Sequence, residues 1–346
     1  MPEAPTNPQA GVSLDTKRKK LDTKRKKRKN RFAYVLQLAV GIGLLLVLLS
    51  TIDLEETERL FRNVQLDWIA GAIGMLVLLR FLMSLRWKCV LTSQGIDVPF
   101  LELLRITWIG MFLGHFMPGG VGIDLIRGYE LARRESRAAE VATTLILDRF
   151  IGVWSMFALA LVGSIIAPAS GRLAGLAAPL VVIQVLFMLG WILAGSLARR
   201  WSVPTRPGQR LTERIRAKLV LMAHSLTDAG RMRAIFPKVA GLALSVQLCR
   251  CLMFFYIYKS FAADVALLDC IALIPLVTVI ILIPISIAGL GVREGTLVVL
   301  FRLLEVPDEI SLSVGLVSHL LQVLVALPGF YLWLSRANSN ANASEG

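Results

Sequence analysis

Acidic side chains are scarce in this chain: 24 Asp and Glu stand against 38 Lys and Arg, a net charge of +14 over 346 residues. Histidine (3) and cysteine (4) are scarcer still, with no CxxC or Cys/His spacing, which excludes a structural zinc framework and gives no pattern for a disulfide scaffold. Cys89, Cys249, Cys251 and Cys270 lie in or beside apolar runs and read as packing residues. Also missing are a Ser/His/Asp pattern, a GxxxxGK[ST] phosphate loop and a soluble stretch that would house a nucleotide-binding domain. These gaps speak against an ATP-driven pump acting alone and leave the chain without a visible catalytic or synthase domain. They call for no cofactor and no metal.

What the chain has in excess is hydrocarbon. It is 55% hydrophobic and only 18% charged. Several nearly uncharged runs reach the roughly 20 residues that cross a bilayer. A soluble fold is excluded, and the expected class is an all-α polytopic membrane protein. The first run, Phe32 to Ser50, follows a long basic tail and lacks a small-residue cleavage site, so a retained span is expected there and not a cleaved signal peptide.

The positive charge is concentrated. Lys17 to Arg31 and Arg199 to Lys238 together hold more than the whole net excess. Beside membrane spans such clusters mark the cytoplasmic face and attract anionic headgroups. Without aromatic interleaving or a folded basic domain they do not suggest a nucleic-acid partner. Within the tail, Leu14-Asp15-Thr16-Lys17-Arg18-Lys19-Lys20 recurs as Leu21-Asp22-Thr23-Lys24-Arg25-Lys26-Lys27. Self-repelling charge of this kind predicts a disordered cytoplasmic tail over 1–31 that anchors topology.

Loop charges order the spans. The first runs out to Asp53, Glu55, Glu56 and Glu58; the second, about Trp68 to Leu85, carries Arg80 and returns to Arg86 and Lys88. Leu103 to Met117, holding Arg105 and His115, ends at a Pro/Gly break. Arg127, Arg133, Arg134 and Arg137 follow, and a full crossing would strand them outside. A re-entrant hairpin removes that conflict. Spans at about Thr143 to Ala167 and Leu173 to Leu197 lead to the basic loop 199–238, with a surface helix expected around Leu211 to Leu226. A span at about Val239 to Tyr258 comes next, then an apolar stretch from Val265 to Leu304 broken near its centre. Acidic Glu305, Asp308 and Glu309 precede the last span, about Leu312 to Leu334, and a polar tail over 336–346.

The expected transmembrane domain is thus 32–335, in halves of about 32–168 and 173–335. Each half reads span, span, re-entrant hairpin, span, and the second starts from the opposite face. The count is about six full spans plus two re-entrant helical hairpins in an inverted repeat, with both termini cytoplasmic. Eight full transmembrane helices remain the alternative, because loop charge constrains the hairpins less than the spans.

The two breaks look like copies of one device. One is Pro118-Gly119-Gly120-Val121-Gly122-Ile123-Asp124 with Arg127 a turn later; the other runs Pro284-Ile285-Ser286-Ile287-Ala288-Gly289-Leu290-Gly291-Val292-Arg293-Glu294. Pro and Gly interrupt a helix, and free backbone groups at membrane depth are tolerated only in protein or beside a water-filled cavity. A matched pair of interruptions points to a transport site between two halves. Gly119, Gly120 and Gly122 allow close backbone approach, and a half-helix after them aims N–H groups at an anion such as phosphate. Arg127 is then a candidate bidentate clamp and Asp124 its orienting partner. Gly289, Gly291, Arg293 and Glu294 repeat the pattern, and an ionisable pair in so apolar a stretch is costly unless it faces a cavity or partner. Asp148 and Arg149 open the third span and are candidates to pair with the first hairpin. Arg80 and Arg250 lie inside spans as candidates for a polar path. His115 reads as a hydrogen-bonded packing residue, and His319 with Gln322 as an interhelical hydrogen-bonding stripe.

At these motifs the chain resembles the family built around the transmembrane region of bacterial lysylphosphatidylglycerol synthases, which includes free-standing flippase-like proteins. The matching residues are Pro118-Gly119-Gly120-x-Gly122-x-Asp124-x-x-Arg127, Asp148-Arg149-x-x-Gly152 and Pro284-x-Ser286-x-x-Gly289-x-Gly291-x-Arg293-Glu294-Gly295, and the likeness covers roughly Phe32 to Leu334. Ile123 and Asp148 stand where the family pattern often has Gly and Glu. The resemblance implies a lipid-translocating module in the plasma (inner) membrane. It does not imply the synthase reaction, which a separate soluble domain performs.

Two main readings follow. One is a flippase-like carrier for a phosphate-headgroup amphiphile: a phospholipid, an aminoacyl-phospholipid or a polyprenyl-phosphate-linked lipid. The other is a membrane subunit or enzyme of lipid or polyprenyl-phosphate glycosyl transfer, with Asp124 and Glu294 as acid/base candidates. A scaffold holding a cytoplasmic synthase through the 199–238 loop is a third. The expected partners are membrane lipids, anionic or phosphate-bearing; a homodimer and a cytoplasmic lipid-modifying enzyme are compatible with them.

Overall fold

The computed structural model describes residues 54–345 apart from 116, 118–121, 136, 168–169, 201–228, 284 and 287, together with a few positions between 42 and 50. The basic tail, most of the first expected span and the surface helix expected around 211–226 lie outside the described residues. In chain order the helices are α1 (Leu54–Arg62), α2 (Leu66–Ser93), α3 (Phe100–Gly114), α4 (Gly122–Glu135), α5 (Ala138–Ile166), α6 (Ser170–Arg200), α7 (Ala229–Ser260), α8 (Leu267–Leu282), α9 (Val292–Phe301) and α10 (Asp308–Glu345). A single 3-10 turn, Arg302–Leu304, joins the last two. Every regular element among the described residues is helical, as the composition requires.

Among the described residues four segments are long and apolar enough to cross a bilayer: α2, Glu140–Ile166 of α5, Ile235–Ser260 of α7 and Asp308–Ser335 of α10. Gly175–Gly190 of α6 and the whole of α8 are shorter apolar stretches. The chain is a multi-pass membrane protein. Its outer surface agrees: Leu186, Leu193, Leu320 and Val299 are more than half exposed, a bare apolar exterior suited to lipid and a liability in water.

The helices flanking the two breaks are short. α3 has 15 residues, α4 14, α8 16 and α9 10. At 1.5 Å per residue they span about 15–24 Å, less than the ~30 Å of hydrocarbon. Each pair also packs on itself, α3 against α4 and α8 against α9.

Between the halves the packing is reciprocal. α2 lies along α7, α3 against α10, and α8 against α5. Both outer contacts turn on a glycine that admits a neighbouring backbone. A β-carbon on Gly329 of α10 would overlap the Trp108 carbonyl of α3, and one on Gly163 of α5 would overlap the Ala272 backbone of α8. Small residues serve membrane helices this way, because close backbone approach supplies dispersion where no hydrophobic force acts between helices. Around Gly329 the Trp108 indole N–H donates to the Val325 carbonyl at 3.0 Å, and the Phe112 and Phe330 rings meet at 5.0 Å. The largest apolar cluster joins α2 to α7–α10, with Tyr258 stacked on Phe301 at 4.4 Å. Cys249, Cys251 and Cys270 are buried and free.

One expected loop is a helix. The acidic segment after the first span forms most of α1, where Glu55 and Glu58 accept hydrogen bonds from Arg59 and Arg62 four residues on. Glu-to-Arg pairs at that spacing support an exposed helix by a few tenths of a kcal/mol each. Phe61 pins it edge-on to Phe261 at 5.6 Å.

Candidate functional site

Both breaks position a helix start. At the first, α3 and α4 meet glycine to glycine: a β-carbon on Gly122 would lie 2.7 Å from the Gly114 carbonyl oxygen, and one on Gly114 would lie 2.6 Å from the Ile123 nitrogen. No larger side chain allows that turn. Gly119 and Gly120 lie outside the described residues. At the second, Ala288 (φ 53°), Gly289 (φ 77°) and Gly291 (φ 76°) adopt left-handed backbone before α9 begins. Two of the three are glycines, for which that region carries no steric cost.

The two helix starts face one cavity of about 170 Å³, lined by α2, α4, α5, α7, α8, α9 and α10. Arg80, Asp124, Arg149, Arg250, Arg293 and Gln322 supply its polar wall, and side chains such as Met253 and Phe254 the apolar remainder. Arg80, Arg250 and Gln322 sit near the middle of their spans, which places the cavity deep in the hydrocarbon layer. Four guanidiniums thus meet a single carboxylate. In a low dielectric that excess is costly unless an anion or water answers it.

The residues singled out in the sequence divide into two layers. Asp124, Arg149 and Arg293 reach the cavity wall; Arg127, Asp148 and Glu294 stand behind it. Arg127, expected as a ligand clamp, is fully buried with its guanidinium 4.1 Å above the Trp87 ring. Its Nη1 lies 3.3 Å from Asp124 Oδ1 and 3.8 Å from Asp148 Oδ2. The other oxygen of Asp124 takes Arg149 Nε at 3.4 Å. Arg127 therefore holds the carboxylate that holds Arg149, a positioning role set by the rotation of α4 against α5.

Asp148 is gripped from α2. Arg86 donates to it through Nε at 2.7 Å and Nη2 at 3.0 Å, the two-pronged geometry a guanidinium is shaped for. Gly152, one turn further along α5, leaves room for that guanidinium; a β-carbon there would touch both of its terminal nitrogens at 3.4 Å. Thr144, Asp148 and Gly152 recur every fourth residue and so share a face, on which Thr144 accepts the Trp87 indole N–H at 3.2 Å. Arg86 corrects the expectation that it flanks the membrane at the cytoplasmic surface. α2 continues to Ser93 and leaves it 5% exposed. A buried Asp148 demanded a cation, and that was the signal by which Arg86 could have been found.

At the second break Glu294 is spent on its own helix. Its Oε2 accepts the Gly291 N–H at 2.7 Å, and its side chain fills the space opposite Gly315, where a β-carbon would come within 2.8 Å of Cγ. The N–H expected to face a ligand is therefore occupied, and the group offered to the cavity is Arg293. Its guanidinium donates to the Ala288 carbonyl at 3.3 Å and lies 3.2 Å from His319 Nδ1. His319 thus braces Arg293, while Gln322 donates to the Ser318 carbonyl and lines the cavity. His115 donates Nδ1–H to the Met111 carbonyl at 2.7 Å, with its ring 6.1 Å from that of His319. Arg80 Nε and Arg127 Nε and Nη2 are buried without a partner among the described residues.

Comparison with known proteins places this architecture. The family model described as "Lysylphosphatidylglycerol synthase TM region" matches residues 34–329. A protein of Methanothermobacter thermautotrophicus named "UPF0104 membrane protein" is 25% identical over 310 residues, covering 82% of this chain and 89% of its own. A UPF0104 membrane protein of Pyrococcus horikoshii is 27% identical over 121 residues, 34% of this chain and 36% of its own.

Proposed function

This chain belongs to the lysylphosphatidylglycerol synthase TM region family, and from that premise we propose that it carries a phosphate-bearing amphiphile between the leaflets of the plasma (inner) membrane. The observation that carries this reading is the mid-depth cavity with four guanidiniums and one carboxylate, built from both halves of the chain. A headgroup enters a membrane's interior only where charge is ready to replace its water. The acyl chains stay in the lipid that already bathes the apolar exterior. Arg80, Arg250 and Arg293 engage the phosphate; Asp124, held between Arg127 and Arg149, tunes the charge.

The same reading takes the short helix pairs α3/α4 and α8/α9 as re-entrant hairpins of an inverted repeat, with halves at about 32–168 and 173–335. The support is the reciprocal contact of each hairpin with the last span of the opposite half, α3 with α10 and α8 with α5. Rocking one half against the other would expose the cavity to each leaflet in turn. Both termini and the basic 199–238 loop are placed in the cytoplasm by charge bias.

The test is lipid movement in proteoliposomes, followed by dithionite quenching of fluorescent lipids with several headgroups. Wild-type protein is expected to speed quenching of inner-leaflet phosphate-headgroup lipid. Arg293→Ala should slow it about tenfold or more, since a lost charged hydrogen-bonding group is worth roughly 1.5–3 kcal/mol. Arg302→Gln, an exposed change at the 3-10 turn, should retain the rate. Folded protein that moves no headgroup would overturn the carrier and favour a membrane subunit of lipid glycosyl transfer.

A further inference from the structure

The charge count at the cavity says more than that the ligand is anionic. Six arginines gather there or in the layer just behind: Arg80, Arg86, Arg127, Arg149, Arg250 and Arg293. Against them stand three carboxylates, Asp124, Asp148 and Glu294. Asp148 is paired with Arg86 and has a longer contact to Arg127, and Asp124 is paired with Arg127 and Arg149. Glu294 accepts one backbone N–H of its own helix, its other oxygen being buried without a hydrogen-bond partner among the described residues.

What remains uncompensated is specific. Among the described residues Arg80 and Arg250 form no ion pair, and Arg293 hydrogen-bonds a histidine nitrogen and a carbonyl, with the neighbouring Glu294 carboxylate acting on it through space. Arg80 is 7% exposed with Nε unpaired, and it lines the cavity from the middle of α2. It is a buried cation on the wall of that cavity. Arg80, the half-buried Arg250 and the buried Arg293, on three different helices, line one volume.

We infer that the cavity is built for a phosphate group with two or more negative charges, a phosphomonoester or a diphosphate, and selects it over a phosphodiester with one. This deepens the carrier reading, because it takes the cavity to be where the headgroup sits. A monoanion leaves two of the three surplus charges unanswered in hydrocarbon; a dianion leaves one, and a trianionic diphosphate none. Zwitterionic headgroups are worse served. The one carboxylate on the wall is already committed to two arginines, so an ammonium group arriving with the phosphate finds no free counter-charge. Several guanidiniums also suit one compact phosphorus-oxygen cluster, where each can form charge-assisted bonds to separate oxygens.

The experiment measures binding to the full-length protein in detergent at pH 8, where a phosphomonoester carries close to two charges. The probes are short-chain phosphatidic acid, phosphatidylglycerol and phosphatidylcholine of equal chain length, with inorganic phosphate and pyrophosphate as soluble arms. Phosphatidic acid is expected to bind at least about tenfold more tightly than phosphatidylglycerol, with phosphatidylcholine weakest. Arg80→Gln and Arg250→Gln should each erase most of that preference. Without ligand both variants are expected to melt no lower than wild type, since each removes a cation that has no ion pair among the described residues. Equal affinity for phosphatidic acid and phosphatidylglycerol, or a preference that survives both substitutions, would overturn the inference. Inorganic phosphate, itself a dianion at this pH, matching the lipid's affinity would assign the dianion to a soluble phosphate, and a tighter lipid to a headgroup, with pyrophosphate as the more highly charged arm; the preference for two charges over one holds in either case. The carrier reading fails separately. Selective binding without lipid movement would remove it and leave this inference, whereas movement of phosphatidylcholine as fast as phosphatidic acid would do the reverse.

Discussion

Asp148→Ala is expected to cost about 3–5 kcal/mol of stability, the usual result of breaking a buried ion pair from one side. The carboxylate is 2% exposed and answers two cations from two other helices: Arg86 of α2 by two hydrogen bonds and Arg127 of α4 at 3.8 Å. Removing it leaves both guanidiniums in the interior with less than their charge balance. Arg127 would then lean on Asp124 alone, and Arg149 would lose its share of that carboxylate. Thermal unfolding of purified protein measures the loss directly. The double variant Asp148→Leu/Arg86→Leu should recover part of it, because an apolar pair of similar volume removes the unpaired charge as well as the bond. Asp148→Ala melting like wild type would mean that the ion-pair layer behind the cavity is not what holds α2, α4 and α5 in register.

Adding a single methyl group at the contacts between the halves should be nearly as harmful. In Gly329→Ala and Gly163→Ala the new β-carbon overlaps main-chain atoms, Trp108 on one side and Ala272 on the other. Main chain cannot rotate aside as a side chain can, so the helices must separate. On the α10 side that strains the Trp108–Val325 hydrogen bond and the Phe112–Phe330 contact. Each change is expected to destabilise by about 3 kcal/mol, the upper end of the usual overpacking range. Gly74→Ala in α2 and Gly241→Ala in α7 provide the contrast. Nothing lies within 4 Å of a β-carbon at either position, and a helical glycine-to-alanine change gains about 0.5–1 kcal/mol. If all four variants melt alike, close backbone approach is not what joins the halves.

Much of the helix order was legible because hydropathy and helix breakers act locally. The span expected at Val239 to Tyr258 lies within α7, and the break expected near the centre of Val265 to Leu304 separates α8 from α9. Where reading of the site residues fell short, the missing quantity was relative orientation. Arg86 and Lys88 looked like one interfacial pair; the structure buries Arg86 and leaves Lys88 partly exposed, because two steps along a helix turn a side chain by about 200°. The acidic segment looked like a loop until its i,i+4 pairs made it α1. Arg149, a candidate to pair with the first hairpin, also lines the cavity, whereas Arg127 of the Gly-rich motif does not.

By itself, the sequence determined that this protein lives in a bilayer, where its helices break and which ionisable residues had to find partners there. Those properties follow from transfer free energies and backbone sterics, which each segment carries alone. Only the tertiary structure decided which guanidiniums face the cavity and which are locked behind it. That choice depends on how α2, α4, α5 and α9 are rotated against one another. Glycines sit where those helices meet their neighbours, Gly128 of α4 against Leu145 of α5, Gly152 of α5 against Arg86 of α2 and Gly315 of α10 against Glu294 of α9, contacts between residues that lie apart in the chain.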